Sequence, residues 1–278
     1  MSGSLEITFL GTGTSHGVPM IGCDCRVCRS DYPRDRRNRT CVSVAVRGQA
    51  GADPAVLVID TPPEFRLGAI ATGLARVDAV LVTHAHADHI LGMDDLRRYN
   101  NLSGGPIDVY GDASAMAIVR TVFRYAEAPY DNPDRPSLRF HELTGAGLLP
   151  EAHRLKACAT TVMIAGVPVT PVPLLHGRRE VLGFRIGRFA YCTDCSSIPP
   201  ASEPLLAGLE LLVLGALRYT PHPAHFNVEQ AVAAIDRLAP RRALLTHMAH
   251  EIAHAELAAR LPAHIQPAWD GQRVEVPM

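Results

Sequence analysis

The chain lacks an excess of charge of one sign, a long apolar run and a cationic N-terminal segment. Its 27 lysines and arginines against 28 aspartates and glutamates give a formal net charge of −1, so bulk electrostatics favour neither nucleic acid nor an acidic membrane as a partner. No run of about 20 apolar residues is present, which excludes a conventional membrane-spanning helix. The first ten residues carry Glu6 and no basic residue, so we expect no secretory signal and a cytoplasmic protein.

Charged residues are also scarce, at 20% against about 25% in ordinary soluble domains, whereas hydrophobic residues make up 47%. This apolar content can bury a core, which excludes intrinsic disorder and a coiled coil. A length of 278 residues fits one large domain or two small ones. Strand and helix patterns alternate without a sharp change in composition, so we predict a single α/β domain over residues 1–278.

Apolar periodicity locates several of these elements. Continuous apolar runs at Val56–Ile59 and Ala79–Val82 predict strands buried on both faces, and a helix is predicted between them over Pro62–Leu74. Asn227, followed three residues later by a glutamine, resembles a capping box and opens the clearest helix. Near the end of the chain, Asp270-Gly271 predicts a hairpin turn before the last strand.

Four side chains with metal-binding groups lie within six positions, directly after the second of these strands: His84, His86, Asp88 and His89. A strand end that leads into a loop can bring such side chains onto one ion while the backbone stays fixed. Because histidines two residues apart in an extended segment lie on the same side, His84 and His86 can bind one ion. Asp88 and His89 can reach a second ion. Imidazole and carboxylate groups suit zinc and related metals.

Two pairs of ligands do not complete two coordination shells, so the hypothesis requires more. Three candidates follow predicted strands in the same way: His176, Asp194 and His247. With the first cluster they supply five histidines and two aspartates. This set is sufficient for a two-metal site with one shared carboxylate.

The ligand series resembles that of the metallo-β-lactamase superfamily, and the resemblance extends over nearly the whole chain. It implies a four-layer αββα sandwich, in which two sheets pack face to face with helices outside. It also implies two groups of ligands joined by a bridging Asp194: His84, His86 and His176 for one divalent ion, and Asp88, His89 and His247 for the other. Asp60 lies where the superfamily often keeps a carboxylate behind the histidines, although a helix cap is an equal alternative.

Three of the seven cysteines stand together, at Cys23, Cys25 and Cys28. Without a secretory signal, this spacing favours metal binding over a disulfide framework or unpaired core thiols. The triad and the Gly-Val-Pro segment before it resemble a smaller group of the superfamily. That group contains PhnP, the cyclic-phosphate phosphodiesterase accompanying the carbon–phosphorus lyase pathway. The segment ending at His250 matches the same group, which implies that His250 completes a structural zinc site.

The opening Ile-Thr-Phe-Leu-Gly-Thr-Gly segment resembles the phosphodiesterase branch, which includes tRNA 3′-processing endonucleases. The resemblance implies hydrolysis of a small cyclic sugar phosphate or nucleotide, with in-line attack by hydroxide formed between two zinc or manganese ions. His225 aligns with the histidine that these enzymes use to protonate the leaving group. We therefore assign catalytic roles to His225, Asp88 and Asp194.

Two further positions are candidates for binding the substrate. Arg178 and Arg179 follow His176 after one glycine and are placed to meet a terminal phosphate. His222 is the second candidate for substrate binding and the reserve choice for the acid.

Other interpretations stay open. A tRNA endonuclease-like nuclease is weakened because we find no long Gly/Pro-rich arm and no basic charge, so nucleic acid is not the expected partner. A lactone or thioester hydrolase of the same fold leaves His225 and the cysteine triad without a role. The pyrroloquinoline-quinone biosynthesis protein B group shares the triad but lacks the full two-metal ligand set. A metal-binding scaffold is the non-enzyme alternative, and a homodimer is left open.

Overall fold

The computed structural model describes residues 3–48, 53–127, 129–143 and 160–278. Within these residues the strands are β1 (Ser4–Gly11), β2 (Cys41–Arg47), β3 (Ala55–Ile59), β4 (Ala79–Leu81), β5 (Ile107–Gly111), β6 (Leu138–Glu142), β7 (Val162–Ile164), β8 (Val167–His176), β9 (Arg179–Ile186), β10 (Phe189–Cys192), β11 (Leu211–Gly215), β12 (Arg242–Thr246), β13 (Ile265–Pro267) and β14 (Arg273–Pro277). The helices are α1 (Phe65–Thr72), α2 (Ala87–Ile90), α3 (Arg97–Ser103), α4 (Ala113–Val122), α5 (Val228–Leu238) and α6 (His254–Arg260).

The strands form two seven-stranded sheets that pack face to face. One has the order β14-β1-β2-β3-β4-β5-β6 and the other β13-β12-β11-β10-β9-β8-β7. Fully buried side chains fill the space between them, among them Phe9, Phe184 and Tyr191. Residues of α1, α3 and α4 cover the outer face of the first sheet, and those of α5 and α6 cover the second. This arrangement confirms the predicted αββα sandwich, and no described helix is long and apolar enough to cross a bilayer.

Parallel strands bring the predicted ligands to one edge. Strands β3 to β6 are parallel in the first sheet, and β10 to β13 are parallel in the second. Because carboxyl ends of parallel strands share an edge, the loops that follow them lie together. Asp60 and His84 follow β3 and β4, whereas Asp194 and His247 follow β10 and β12. Each sheet therefore contributes ligands from its carboxyl edge.

Both predicted helices form. Helix α5 begins as predicted, whereas α1 is shorter than predicted. In α5 the Asn227 side chain accepts a hydrogen bond from the Gln230 N–H at 2.8 Å, and the Gln230 side chain accepts one from the Asn227 N–H at 3.0 Å. This completes the predicted capping box. Helix α1 is shorter than the predicted Pro62–Leu74, because Pro62 lies in a turn before it and Gly73 ends it with a φ of 70°.

The predicted hairpin at Asp270-Gly271 is wrong, because the turn crosses between sheets. Strand β13 before it pairs with β12, whereas β14 after it pairs with β1. The Asp270 carboxylate holds the crossing by accepting hydrogen bonds from Thr12 Oγ1 at 2.8 Å and from Asn38 N at 2.6 Å. The Thr12 carbonyl accepts from Met248 N at 3.0 Å. Asp270 therefore supports the loop that carries the last predicted metal ligand.

Asp270 makes stability depend on pH. Burial raises its pKa to about 7, against the opposing effect of the hydrogen bonds from Asn38 and Thr12. An unfolded aspartate has a pKa of about 3.9. The folded protein therefore holds a proton that the unfolded chain releases, and the stability that this carboxyl contributes below about pH 4 is lost as the pH rises through about 7.

We expect Asp270→Asn, which does not titrate, to gain stability relative to the wild type as the pH rises from 5 to 8. Urea unfolding at both pH values measures this difference in free energy. Asp31→Asn, at an exposed position, controls for the change in net charge. If wild type and Asp270→Asn differ in free energy of unfolding by the same amount at both pH values, the raised pKa of Asp270 is contradicted.

Candidate metal centres

The structure brings the seven predicted catalytic ligands together in two groups. The side-chain atoms within each group lie within 4.8 Å of one another: His84, His86 and His176 in the first, and Asp88, His89, Asp194 and His247 in the second. Two ligand atoms of a tetrahedral zinc stand about 3.4 Å apart when the bonds are about 2.0–2.1 Å long. His84 Nε2 lies 2.9 Å from His86 Nδ1, and His247 Nε2 lies 3.1 Å from Asp194 Oδ2. These spacings fit divalent ions.

Asp194 lies between the two groups. Its Oδ2 is 3.9 Å from His84 Nε2 in the first group and 3.5 Å from His89 Nε2 in the second. Its other oxygen accepts a hydrogen bond from Thr193 Oγ1 at 2.8 Å. The carboxylate therefore occupies the position that the resemblance implies for a bridging ligand.

Two imidazole nitrogens in the second group are buried without a hydrogen-bond partner among the described residues. These are His89 Nε2 and His247 Nε2. Buried polar atoms in folded proteins almost always have a partner. Both nitrogens face Asp194 Oδ2, and Asp88 Oδ2 is 3.5 Å from His89 Nε2. A divalent cation at this point would satisfy all four side chains.

Three residues at this edge have left-handed backbone conformations. The φ angles are 63° at Asp60, 49° at Asp194 and 58° at His247. Residues with a Cβ adopt such angles at a cost and keep them only where the surrounding structure enforces them. Backbone hydrogen bonds between Met248 and the Thr12–Thr14 turn enforce the conformation at His247. Strain of this kind concentrates at functional sites.

Asp60 orients one histidine of each group, and it is not a helix cap. Its buried carboxylate accepts hydrogen bonds from Thr83 N and Oγ1, each at 2.8 Å, and from His89 Nδ1 at 2.7 Å. Thr83 Oγ1 also lies 3.0 Å from His84 Nδ1. Both imidazoles can therefore keep a proton on Nδ1 and offer Nε2 to a metal, as second partners of metal-binding histidines commonly ensure.

The buried charges balance one another. Burial opposes a charge on His89, but the carboxylates of Asp194 and Asp60 outweigh it and hold the pKa of His89 well above its usual range. Burial also opposes ionisation of Asp194, but His247 and His89 hold the pKa of that carboxyl well below its usual range. For Asp88 burial opposes ionisation, but the attraction of the His89 imidazole, 3.5 Å away, outweighs it and lowers the pKa of that carboxyl to about 2. Both aspartates are therefore anionic and suited to a cation.

His225 lies beside both groups. Its ring centroid is 4.8 Å from that of His247 and 4.5 Å from that of His176. Burial, and then the charge of His247, lower the pKa of His225 to about 3, so the unliganded imidazole is neutral. The ring of His222, the reserve candidate, is 4.9 Å from that of His225.

His225 also belongs to a group of potential metal ligands. His176, Asp194 and His225 form a third group of ligand atoms within 4.8 Å. This group shares two residues with the other groups and so competes with them for the same ions. The loop that carries His225 is fixed next to Asp194 because Phe226 N donates a hydrogen bond to Cys195 O at 2.7 Å.

Cys23, Cys25, Cys28 and His250 form a separate cluster with ligand atoms within 4.8 Å. His250 Nδ1 is 3.3 Å from the sulfurs of both Cys23 and Cys25, near the spacing of about 3.6 Å expected on a tetrahedral zinc. Burial disfavours the Cys25 thiolate, but hydrogen bonds from Cys28 N and His250 lower its pKa to about 6. Thiolate is the form of cysteine that binds metals. The donor set fits a tetrahedral zinc.

The remaining described cysteines are buried, and Cys192 and Cys195 behave as core thiols. Burial raises the pKa of Cys192 to about 12 and also holds the pKa of Cys195 well above its usual range. Neither thiol is activated, which agrees with the interpretation of this pair as packing residues.

A cavity of 670 Å³ opens beside the first metal-binding group. Arg178 and Arg179 line it, together with His84, His86 and His176 of that group. Helix α4 also lines the cavity, through residues that include Ile118, and this wall was not predicted from the sequence. The available signal was Asp112, which directly follows β5 and caps α4 through bonds to the Ser114 and Ala115 N–H groups.

Comparisons with known proteins agree with this geometry. A family model described as the beta-lactamase superfamily domain matches residues 56–248. The chain is similar to the crystal structure of a diphosphatase from the PhnP family, with a TM-score of 0.85 and 36% identity, over 99% of this chain and 98% of that one.

Curated relatives match over part of their length. An octanoyltransferase of Porphyromonas gingivalis is 34% identical over 272 residues, which cover 96% of this chain and 51% of that protein. A ribonuclease Z of Enterococcus faecalis is 27% identical over 144 residues, covering 50% of this chain and 39% of that protein. The chain thus spans about half, or less, of the length of these relatives.

Proposed function

Because the chain belongs to the metallo-β-lactamase superfamily and has relatives in the PhnP family, we propose that it hydrolyses phosphodiesters with two divalent ions, zinc or manganese. The family and the clustered histidines and aspartates support the coarser assignment, a metal-dependent hydrolase. The observation that supports phosphodiester hydrolysis in particular is the convergence of seven ligand side chains, Asp194 among them, with His225 beside them. A metal scaffold would not need such a neighbouring group.

The proposed substrate is a small molecule, a cyclic sugar phosphate or a nucleotide. Similarity to a PhnP-family diphosphatase over almost the full length of both chains supports chemistry at phosphorus. The cavity of 670 Å³ has the size of an ordinary small-molecule site. The net charge of −1 gives no general attraction for a polyanion.

When bound, two divalent ions supply a nucleophilic oxygen at neutral pH and neutralise charge on the phosphoryl group. The protein's own residues fix the geometry. The Asp60 carboxylate accepts hydrogen bonds from Thr83 and His89 and so orients the histidines that follow β4. Thr193 holds the carboxylate of Asp194. His225 donates the proton that the leaving oxygen requires, since it stands next to both groups and a bound phosphoryl anion favours its charged form.

Wild-type protein loaded with Mn²⁺, Zn²⁺ or Co²⁺ should hydrolyse bis(p-nitrophenyl) phosphate. We expect His225→Ala to keep both catalytic ions but to slow a 2′,3′-cyclic nucleotide far more, by about 10²–10⁴-fold, because a poor leaving group needs the acid. The p-nitrophenyl ester, with its good leaving group, should be slowed much less. Turnover of both substrates and metal content by mass spectrometry measure these effects.

His222→Ala is the matched control, since it removes the neighbouring imidazole. Equal slowing of both substrates by His225→Ala would remove His225 from the acid role, and loss of an ion would make it a ligand. No hydrolysis by wild-type protein that holds two ions would favour the scaffold interpretation.

We also propose that Cys23, Cys25, Cys28 and His250 bind a structural zinc. The four donors would leave no open position, as in structural sites generally. The ion would join the N-terminal loop to the loop after β12, which the backbone bond between Thr12 and Met248 already brings together.

Replacing Cys23 by serine should remove one zinc equivalent per chain and lower the midpoint of thermal unfolding, because one of the four bonds to the zinc is lost. The chemistry of the surviving protein should change little. Cys195→Ala, a buried thiol outside the cluster, is the control for loss of a sulfur. An unchanged zinc content in Cys23→Ser would show that the cluster holds no zinc.

A further inference from the structure

Apolar residues from three parts of the fold line the cavity beside the first ligand group. Ile118 comes from α4, Pro173 and Leu175 come from β8, and Pro199 comes from the segment after Asp194. A phosphate bound at the histidines would fill only part of a cavity of 670 Å³. The remaining space can hold an organic group that is attached to the phosphate.

The serine hydroxyls in the cavity lining already donate hydrogen bonds within the protein. Ser114 Oγ donates to Asp112 Oδ1, and Ser202 Oγ donates to the Pro173 carbonyl, each at 2.6 Å. Neither hydroxyl is therefore free to donate to a ligand. A buried ligand hydroxyl that exchanges water for such a surface loses hydrogen bonds.

Charged donors and apolar residues occupy different positions along the β8–β9 hairpin. Arg178 and Arg179 belong to its turn, where Arg179 lies opposite His176 in the strand register. Leu175 and Pro173 lie one and three residues before His176. Because a strand rises about 3.3 Å per residue, Pro173 is roughly 10 Å from His176 along β8. The apolar part of the hairpin therefore begins beside the ligands and extends away from them.

Ile118 offers apolar surface that the protein core does not use. It is 49% exposed, whereas Ala115, Met116 and Val119 of the same helix are buried in the core outside the first sheet. Helix α4 packs on the first sheet, and β8 belongs to the second. A ligand in the cavity can therefore contact both layers, and burial of the Ile118 side chain against it is favourable.

We propose that Ile118, Pro173 and Leu175 bind the base of a nucleotide substrate, and that Ile118 determines the preference for a nucleotide over a sugar phosphate without a base. A nucleobase has apolar ring faces, and the sugar that joins it to the phosphate spans the distance from the ligands to this wall. This inference rests on the proposed function and chooses between the two substrate classes given there.

The test compares AMP with ribose 5-phosphate, which has the same sugar and phosphate but no base. Titration calorimetry measures the affinity of metal-loaded protein for each. We expect the wild type to bind AMP at least about tenfold more tightly. Ile118→Asn puts a polar side chain of similar size on the wall and should lower the AMP-to-ribose 5-phosphate affinity ratio about tenfold, the order of one apolar contact in a pocket. Its affinity for ribose 5-phosphate should change little, which also verifies that the variant is folded.

Val122→Asn is the matched control, because it makes a similar change one turn further along α4. Val122 is 43% exposed and lies outside the cavity lining, so the affinity ratio should stay as in the wild type. A second measurement compares kcat/KM for 2′,3′-cyclic AMP and for methyl ribofuranoside 2,3-cyclic phosphate, which have the same cyclic phosphodiester. Ile118→Asn should lower the preference for the ester with the base, and Val122→Asn should not.

Equal affinities of the wild type for AMP and ribose 5-phosphate would overturn the inference. An affinity ratio that Ile118→Asn leaves unchanged, or that Val122→Asn lowers as much, would overturn it as well. Either result beside normal hydrolysis of bis(p-nitrophenyl) phosphate leaves the proposed function intact. If the wild type holds both ions and hydrolyses no phosphodiester, the proposed function fails, while calorimetry still decides whether Ile118 binds the base.

Discussion

The Asp194 carboxylate is the constraint on which the site depends. Its Oδ2 lies within 4 Å of imidazole nitrogens of His84, His89 and His247, which come from loops of two different sheets. The protonated His89 and a bound divalent cation each place positive charge at a buried point, so the centre requires anionic groups among the histidines. Asp194, Asp88 and Asp60 supply these, and the surrounding structure keeps two of the three aspartates in left-handed backbone conformations.

Two loops far apart in sequence depend on one another to support this centre. The loop after β12 carries both His247 and His250, three residues apart, and thereby belongs to both candidate metal sites. The N-terminal segment holds this loop through the Thr12–Met248 backbone bond and through Arg37, whose buried guanidinium donates to the carbonyls of Ala249 and Ile252 at 3.3 and 2.8 Å. A structural zinc would add a third link, so stability of the N-terminal loop and geometry of the catalytic ligands are coupled.

The structure groups the candidate ligands that the sequence indicated, because their spacing along the chain reports the backbone directly. A histidine or aspartate just after an apolar strand is at the edge of a sheet, and parallel strands bring such edges together. The capping box of α5 was also predictable from neighbouring residues alone. Its residues contact each other within one turn, so no knowledge of the rest of the fold was needed.

The remaining features depend on tertiary structure that the local pattern does not contain. Asp270-Gly271 has hairpin residues, yet its flanking strands belong to different sheets because the Asp270 carboxylate is held by Thr12 and Asn38. The sequence is compatible with Asp60 as a helix cap or as a carboxylate behind the histidines, and only the position of His89 in the fold decides between these two roles. Arg178 and Arg179 are equivalent in sequence, and the tertiary contact of Arg179 Nη1 with His86 Nε2, at 3.5 Å, is not visible in the local pattern.

The most direct test is anomalous diffraction from crystals of the full chain grown with excess Zn²⁺ or Mn²⁺. Data collected on both sides of the absorption edge locate the ions independently of any assumed ligand set. We expect two adjacent peaks on either side of Asp194, one contacting His84, His86 and His176, and the other contacting Asp88, His89 and His247. A single peak among these side chains, or two ions held elsewhere, would contradict it.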